Sequence, residues 1–500
     1  MAGENLIKRR HPRYLASKAK WDFYYDSYVG GENYITEKNL FRYYKEGVEE
    51  FKLRKQRAYR ENHSKRVVDL INSYLFKAQP VRDAQANKVV EDFIENTDGK
   101  GRSMSSYMKE VSQFASVFGR VYIVVDRMAL DEDDQTGTAA DNLKAKPYCW
   151  TLFPQDMLDM AFDDDGDMKW ALVHELKRDD HDPFTSTGIM ESRFRLWTKD
   201  SWFLFDKDGN QTETANHGLG MVPIVPVNNE NLNEYEGLSL INDLAYVDRA
   251  IFNNWSRLDT IVNDQTFSQL IFPVESLLVE EIVTDPVLRE KFLTMATNRI
   301  LFYSATSTAK PEFISPDASQ ASFILGMIEK QIKQLYSVLG LSGEVTQETK
   351  VASSGISKAY DFQKLNKLLA NKADNLEEAE ERIYDVFKAW MGNMKAEVVI
   401  EYPEDFDVKN LADEIAEAQQ LMLLQISETF KKEIDKQVVL KALPKAEQDV
   451  MEKIMKEIED GNQADILAAN DGTQRFGFDK GGVAPAKPLD FSKVQQNEAP

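Results

Sequence analysis

Acidic turns are the first places in this chain where residue type and spacing invite chemistry. "DDDGD" at 163–167 and "DKDGN" at 206–210 place carboxylates around a glycine, as a calcium loop does. A helix–loop–helix calcium site needs glycine at its sixth position and glutamate at its twelfth. Anchoring on Gly166 puts Ala161 first and Leu172 twelfth, and anchoring on Gly209 puts Leu204 first, so both are read as hairpin turns or solvated loops. Phosphate chemistry finds no better footing: "GFDKGG" at 477–482 has the wrong order for a phosphate-binding loop and lacks its Lys-Ser/Thr end. His11, His63, His174, His181 and His217 are scattered, with no His-Glu-x-x-His, no paired Cys-x-x-Cys and no Gly-x-Ser-x-Gly. The single cysteine, Cys149, lies in "KPYCWTLFP" among apolar neighbours and is expected to be a small core residue, with no intrachain disulfide open to it. The expectation is a protein that is not an enzyme and needs no cofactor or metal.

One stretch stands apart because it has almost nothing to bury. "GLSGEVTQETKVASSGISKAYDF", residues 340–362, holds about fifteen small or polar residues between two helical patterns. Loops of that length inside compact domains are usually functional or disordered. Upstream, Ile324, Ile328, Ile332, Leu335 and Leu339 keep helical spacing; downstream, Leu365, Leu369, Leu376, Ile383, Phe387 and Trp390 do so. The downstream helix, about 354–393, is expected to be on the order of 60 Å long.

The elements around that stretch follow from period. The segment up to about Pro80 reads as helix, with a basic run from Lys52 to Arg66 interleaved with aromatics that suits a solvated face or subunit contact better than a nucleic-acid patch. "SMSSYMKEVSQFASVFG" is a further helix capped by Ser103 and stopped by Gly119. From about 120 to 228 the period becomes two, in short runs such as "RVYIVVD", "MKWALVHEL" and "SWFLFD", giving a mostly antiparallel sheet. At 236 a narrow apolar stripe returns, with Leu240, Leu244, Val247, Ile251, Trp255, Leu258 and Val262 at helical intervals. A proline-punctuated insertion at 273–317 carries a short helix and an apolar strand, and a second amphipathic helix covers about 319–339. A strand "EVVIEYP" and a helical region follow, and the Gly/Pro-rich end is expected to be poorly ordered.

Charge bounds the partners. Against 61 Lys plus Arg stand 83 Asp plus Glu, a net charge of −22 with 42% hydrophobic residues. Such a chain cannot coat DNA through a basic stripe, although it can surround a duplex without adhering to it. A narrow stripe on each paired helix leaves the pair unable to close a core by itself, and bundling with copies in a ring would hide it. The inner wall of that ring would carry residues such as Lys330 and Lys333. No secretion signal and no stretch approaching the roughly 18 apolar residues of a membrane span is found, so a soluble protein made in a cytoplasm is expected.

The order of these elements resembles the portal proteins of tailed double-stranded-DNA bacteriophages, the siphophage-type portal family, over roughly residues 35–460. The strings that carry the likeness are "EGVEEFKLRKQRAYRENHSKRVVDLINSYLF", "FGRVYIVVD", "FPQDMLDMAFDDDGDMKWAL", "HGLGMVPIVPVNNE", the paired helices around an insertion, "SSGISKAYDFQKL" and "EVVIEYPEDF". None is diagnostic singly; their number and order carry it. The resemblance implies a helix-rich α+β portal fold assembled as a homo-oligomeric ring with a central channel, commonly a homododecamer, at one capsid vertex of the virion. It implies a wing at 1–235, a stem helix at 236–272, a clip at 273–317, a stem helix at 318–339 and a tunnel loop at 340–356. A long wing helix and strand at 357–404, a crown at 405–471 and a disordered tail at 472–500 complete it. Ser342, Glu344, Thr346, Gln347, Thr349 and Lys350 of the tunnel loop would then face double-stranded DNA, bound without sequence preference. Arg289, Glu290 and Lys291 become clip contacts for the terminase large subunit and then a head-completion adaptor, with capsid and scaffolding proteins as further partners. Energy for packaging would come from the terminase, since this chain shows no ATP-site motif. The competing readings are another virion adaptor or minor capsid protein, and a DNA-processing enzyme.

Overall fold

The computed structural model describes residues 2–44, 46–127, 146–180, 182–266, 269–274, 284–287, 300–304, 312–314, 318–341, 355–403, 406, 427–442, 451 and 453–458. It is mixed α+β and divides into two compact units, Met1–Phe406 and Asp407–Pro500.

The first unit opens with helices α1 (Ala2–Ile7), α2 (Pro12–Val29), α3 (Val48–Arg57) and α4 (His63–Leu75). The single helical segment expected up to Pro80 is thus corrected to several helices. The chain breaks between α3 and α4, where Asn62 restarts the helix by accepting the Lys65 amide at 2.9 Å. Strand β1 (Val81–Asp83), helix α5 (Lys88–Glu95) and helix α6 (Met104–Phe118) follow. Ser103 caps α6 and Gly119, at φ +89°, ends it, as expected.

Three antiparallel strands make one sheet in the order β3 (Pro147–Leu152), β2 (Arg120–Arg127), β9 (Ile224–Asn228). Its middle strand is buried on both faces, which is why it reads as a continuous apolar run. Val121, Ile123 and Val125 join the core under the helices, while Tyr122 and Val124 join a second core. Each such side chain contributes about 1.5–3 kcal/mol by leaving water.

That second core is roofed by a five-stranded antiparallel meander, β4 (Met157–Phe162), β5 (Met168–Arg178), β6 (Met190–Thr198), β7 (Ser201–Phe205) and β8 (Gln211–Asn216). The expected single sheet is therefore two sheets. Strands β4 and β8 go beyond the runs that the period of two picks out; β8, "QTETAN", is exposed at all six positions and has no alternation to reveal it. The acidic turns close hairpins: Asp163 Oδ1 accepts from the amides of Asp165 and Asp167, and Asp206 Oδ1 from those of Asp208 and Asn210.

Beyond β9 come helix α7 (Leu244–Thr266), strands β10 (Gln269–Val274), β11 (Ile300–Ser304) and β12 (Glu312–Ile314), and helix α8 (Ala318–Val338). The α7 helix starts at Leu244 and not at 236, because Ser239 folds the lead-in back by donating to the carbonyls of Ser116 and Val117. β10 pairs in parallel with β11 and antiparallel with β12, so Pro273 lies inside a strand. Helix α9 (Gly355–Trp390) then runs for 36 residues, and strand β13 (Val399–Glu401) pairs with β1. Within the second unit, helix α10 (Glu428–Ala442) is described, with Ile434 buried.

Candidate nucleic-acid interface

Helices α7 and α8 pack along each other, joined by Asn254 Nδ2 donating to Gln331 Oε1 at 3.1 Å. Their stripes are buried at one end and exposed at the other. Leu244, Ile251, Ile328, Leu335 and Tyr336 belong to the main core with α4 and α9. Towards the β10–β12 insertion, Val262, Phe323 and Leu325 stand open to solvent. This overturns the argument from sequence that the stripes could be hidden only by neighbouring copies. The chain buries most of them itself, because α4 supplies a third wall that helical period alone could not assign.

Lys330 and Lys333 lie on the outward side of α8, both exposed, on one face with Phe323, Gly326 and Ser337. At three residues apart they present neighbouring cations, and neither pairs with a carboxylate among the described residues. Of the site residues expected from the sequence, these are the two the structure places. Ser342, Glu344, Thr346, Gln347, Thr349 and Lys350 lie outside the described residues, as do Arg289, Glu290 and Lys291.

The segments flanking residues 342–354 are tied down by polar groups that no sequence motif announces. Lys372 of α9, fully buried, donates to Ser116 Oγ at 2.8 Å and to Asn229 Oδ1 at 2.5 Å. Asn229 in turn donates to the Leu238 carbonyl, and its own carbonyl accepts from Asn375 Nδ2. The result binds the long helix to the end of α6 and to the lead-in of α7. Burial pushes the Lys372 ammonium down from the ordinary 10.5 to about 7. Gly119 and Gly237 meet backbone to backbone at the same junction: a Cβ on either would lie within about 2 Å of the other's carbonyl oxygen.

Two buried ion pairs complete the frame. Arg82 of β1 grips Glu380 of α9 through both carboxylate oxygens, and Tyr402 donates to the same carboxylate at 2.7 Å. Arg60 pairs with Asp248 of α7, which also accepts the amide and hydroxyl of Ser64 at the start of α4. Beside them His63 Nδ1 meets the Tyr336 hydroxyl of α8 at 3.3 Å, and burial lowers the imidazole below its usual range. A signal for part of this frame is present in the sequence: Lys372 and Glu380 fall on the same helical interval as Leu365, Leu369, Leu376 and Ile383, where an apolar residue is due.

Asp156, His174 and Ser192 form a hydrogen-bonded row, Asp156 Oδ1 to His174 Nδ1 at 3.1 Å and His174 Nε2 to Ser192 Oγ at 2.6 Å. The order is that of an orienting acid, a base and a nucleophile. Ser192 nevertheless sits in the regular β5–β6 ladder opposite Leu176, not on a turn that would present it beside free amides. With the His174 amide donating to the Asp156 carbonyl at 2.8 Å, the row fastens β5 and β6 to the turn before β4. Cys149 is buried in the core and burial pushes its thiol well up, away from reactivity.

No protein-family model matches the chain, and no curated protein matches it in sequence. Among solved structures, it is similar to a chain in the neck of an empty gene transfer agent particle computed with C6 symmetry, at 12% identity and TM-score 0.38. That likeness covers 79% of this chain and 94% of the other. A chain in the virion of a native gene transfer agent particle is similar at 12% identity and TM-score 0.36, over 73% of this chain and 85% of that one.

Proposed function

We propose that this chain is the repeating unit of a portal ring, a channel at one capsid vertex through which double-stranded DNA enters and leaves a phage-like particle. The observation that carries the reading is the order of elements around α7 and α8. Two helices anchored at one end in a helix–sheet body bracket a small β-insertion, and a 36-residue helix follows after a polar stretch. In that reading α7 and α8 are the stem, β10–β12 belong to a clip that meets the terminase and then an adaptor, and residues 340–356 form a collar facing DNA. Two cations per chain on α8, in a protein of net charge −22, suit a bore that centres a duplex without gripping it.

Imaging of the purified protein tests the class: rings with a central hole are expected, and compact monomers at high concentration would refute it. Replacing residues 344–353 by a Gly/Ser linker tests the collar. Particles are then expected to assemble but to package or retain DNA poorly, whereas normal packaging reduces the segment to a connector.

A further inference from the structure

The first residue of α4 is a histidine with almost no access to water. His63 is 5% exposed and packs edge-on to Tyr336 of α8, itself 1% exposed, with ring centres 5.9 Å apart. Its Nδ1 lies 3.3 Å from the Tyr336 hydroxyl, and the Arg66 guanidinium lies 5.8 Å from the same tyrosine ring. Its Nε2 is buried and has no hydrogen-bond partner among the described residues. A neutral imidazole tolerates this arrangement. One nitrogen carries the proton, the other a lone pair, and a hydroxyl serves Nδ1 as donor or acceptor.

An imidazolium does not. Both nitrogens then donate, and a charged donor at Nε2 left unpaired in the interior is costly. The surroundings oppose the charge as well. His63 opens α4, where the helix dipole presents its positive end. Arg60 and Arg66, from the same stretch of chain, add two cations. Two carboxylates pull the other way. Asp248 of α7 has its Oδ2 taken up by Arg60 and by the amide and hydroxyl of Ser64. Glu61 is exposed, with Oε2 3.6 Å from Nε2, just beyond hydrogen-bond reach. Burial outweighs both carboxylates, which is why the imidazole is held below its usual range.

We propose that His63 is a proton-operated latch for α8. Uncharged, it seats Tyr336 against the start of α4; protonated, it swings towards Glu61 and solvent and leaves the tyrosine. Helix α7 stays tied to α4 by Asp248, whose bonds to Ser64 and Arg60 do not pass through the imidazole. Acid therefore loosens one of the paired helices at its root and not the other. The sign follows from linkage. An unseated His63 takes its proton near the ordinary 6.5 and a seated one only at lower pH, so the seat is intact above 6.5 and weakens as pH falls through the seated value.

Hydrogen exchange of the full chain, corrected for the intrinsic pH dependence of amide exchange, is the test. From about pH 8 to about pH 5, exchange in peptides covering 328–338 of α8 is expected to rise about tenfold, while those covering 244–252 of α7 stay protected. His63→Gln keeps a neutral hydrogen-bonding side chain and should abolish the rise. Glu61→Gln changes an exposed position and leaves the fold alone. It removes a carboxylate that favours the imidazolium, so the midpoint of the rise should move to lower pH. A rise undiminished in His63→Gln, or an unmoved midpoint in Glu61→Gln, would overturn the latch. Equal loosening of α7 and α8 would also overturn it, as the mark of general acid unfolding. So would no rise in the wild type, which would mean that Asp248 takes up the charge inside the fold.

Discussion

Lys372 meets no carboxylate among the described residues, only a hydroxyl and an amide oxygen. Its proton is therefore held less tightly in the folded chain, near 7, than in the unfolded one, near 10.5. Between those values the unfolded state binds more protons, so folding gains stability as pH rises from 7 towards 10.5 and the gain is flat below 7. The slope is at most about 1.4 kcal/mol per pH unit. Lys372→Met removes the titrating group, and the difference in stability between wild type and variant should move in favour of the wild type across that window. Parallel unfolding profiles from pH 7 to 10 would mean that the ammonium is as well solvated in the fold as outside it.

At the scale of elements, the short β1–β13 pair is held on α9 by the Arg82–Glu380 contact, with Ser105 and Tyr402 completing it. Arg82→Met would strand a fully buried carboxylate and should destabilise the first unit by about 3–5 kcal/mol. The double variant with Glu380→Met should recover most of that loss in unfolding measurements; equal damage in both would show that packing, not charge, is what Arg82 supplies. The existence of α6, α7, α8, α9 and most strands is legible in the sequence, because apolar period and turn residues announce elements that bury one face. β8 is not, since it buries nothing, and the two-sheet arrangement is not, since period fixes which residues face inward but not which core they enter. The strand β2 shows why: its alternate residues serve two different cores. Lys330 and Lys333 are legible as the polar side of an amphipathic helix, whereas the Lys372 and Arg60 networks join residues more than a hundred positions apart.

For the whole molecule, the ring reading assigns Lys330 and Lys333 a role that folding does not need. Replacing both by glutamate should leave stability within about 0.5 kcal/mol of the wild type, since both are exposed. In a packaging reaction with otherwise native components, nuclease-protected DNA should fall while imaged rings stay intact. Unchanged yields at low and moderate salt would place these side chains away from the duplex.

The meeting of Gly119 with Gly237 carries a consequence of its own. Hydrogen is the largest substituent either Cα can hold, because each faces the other's carbonyl oxygen. A single added methyl at residue 237, between Glu236 and Leu238, would have to lever the start of β2 away from the approach to α7. A second small residue elsewhere could not compensate for it, since the missing space belongs to main chain on both sides.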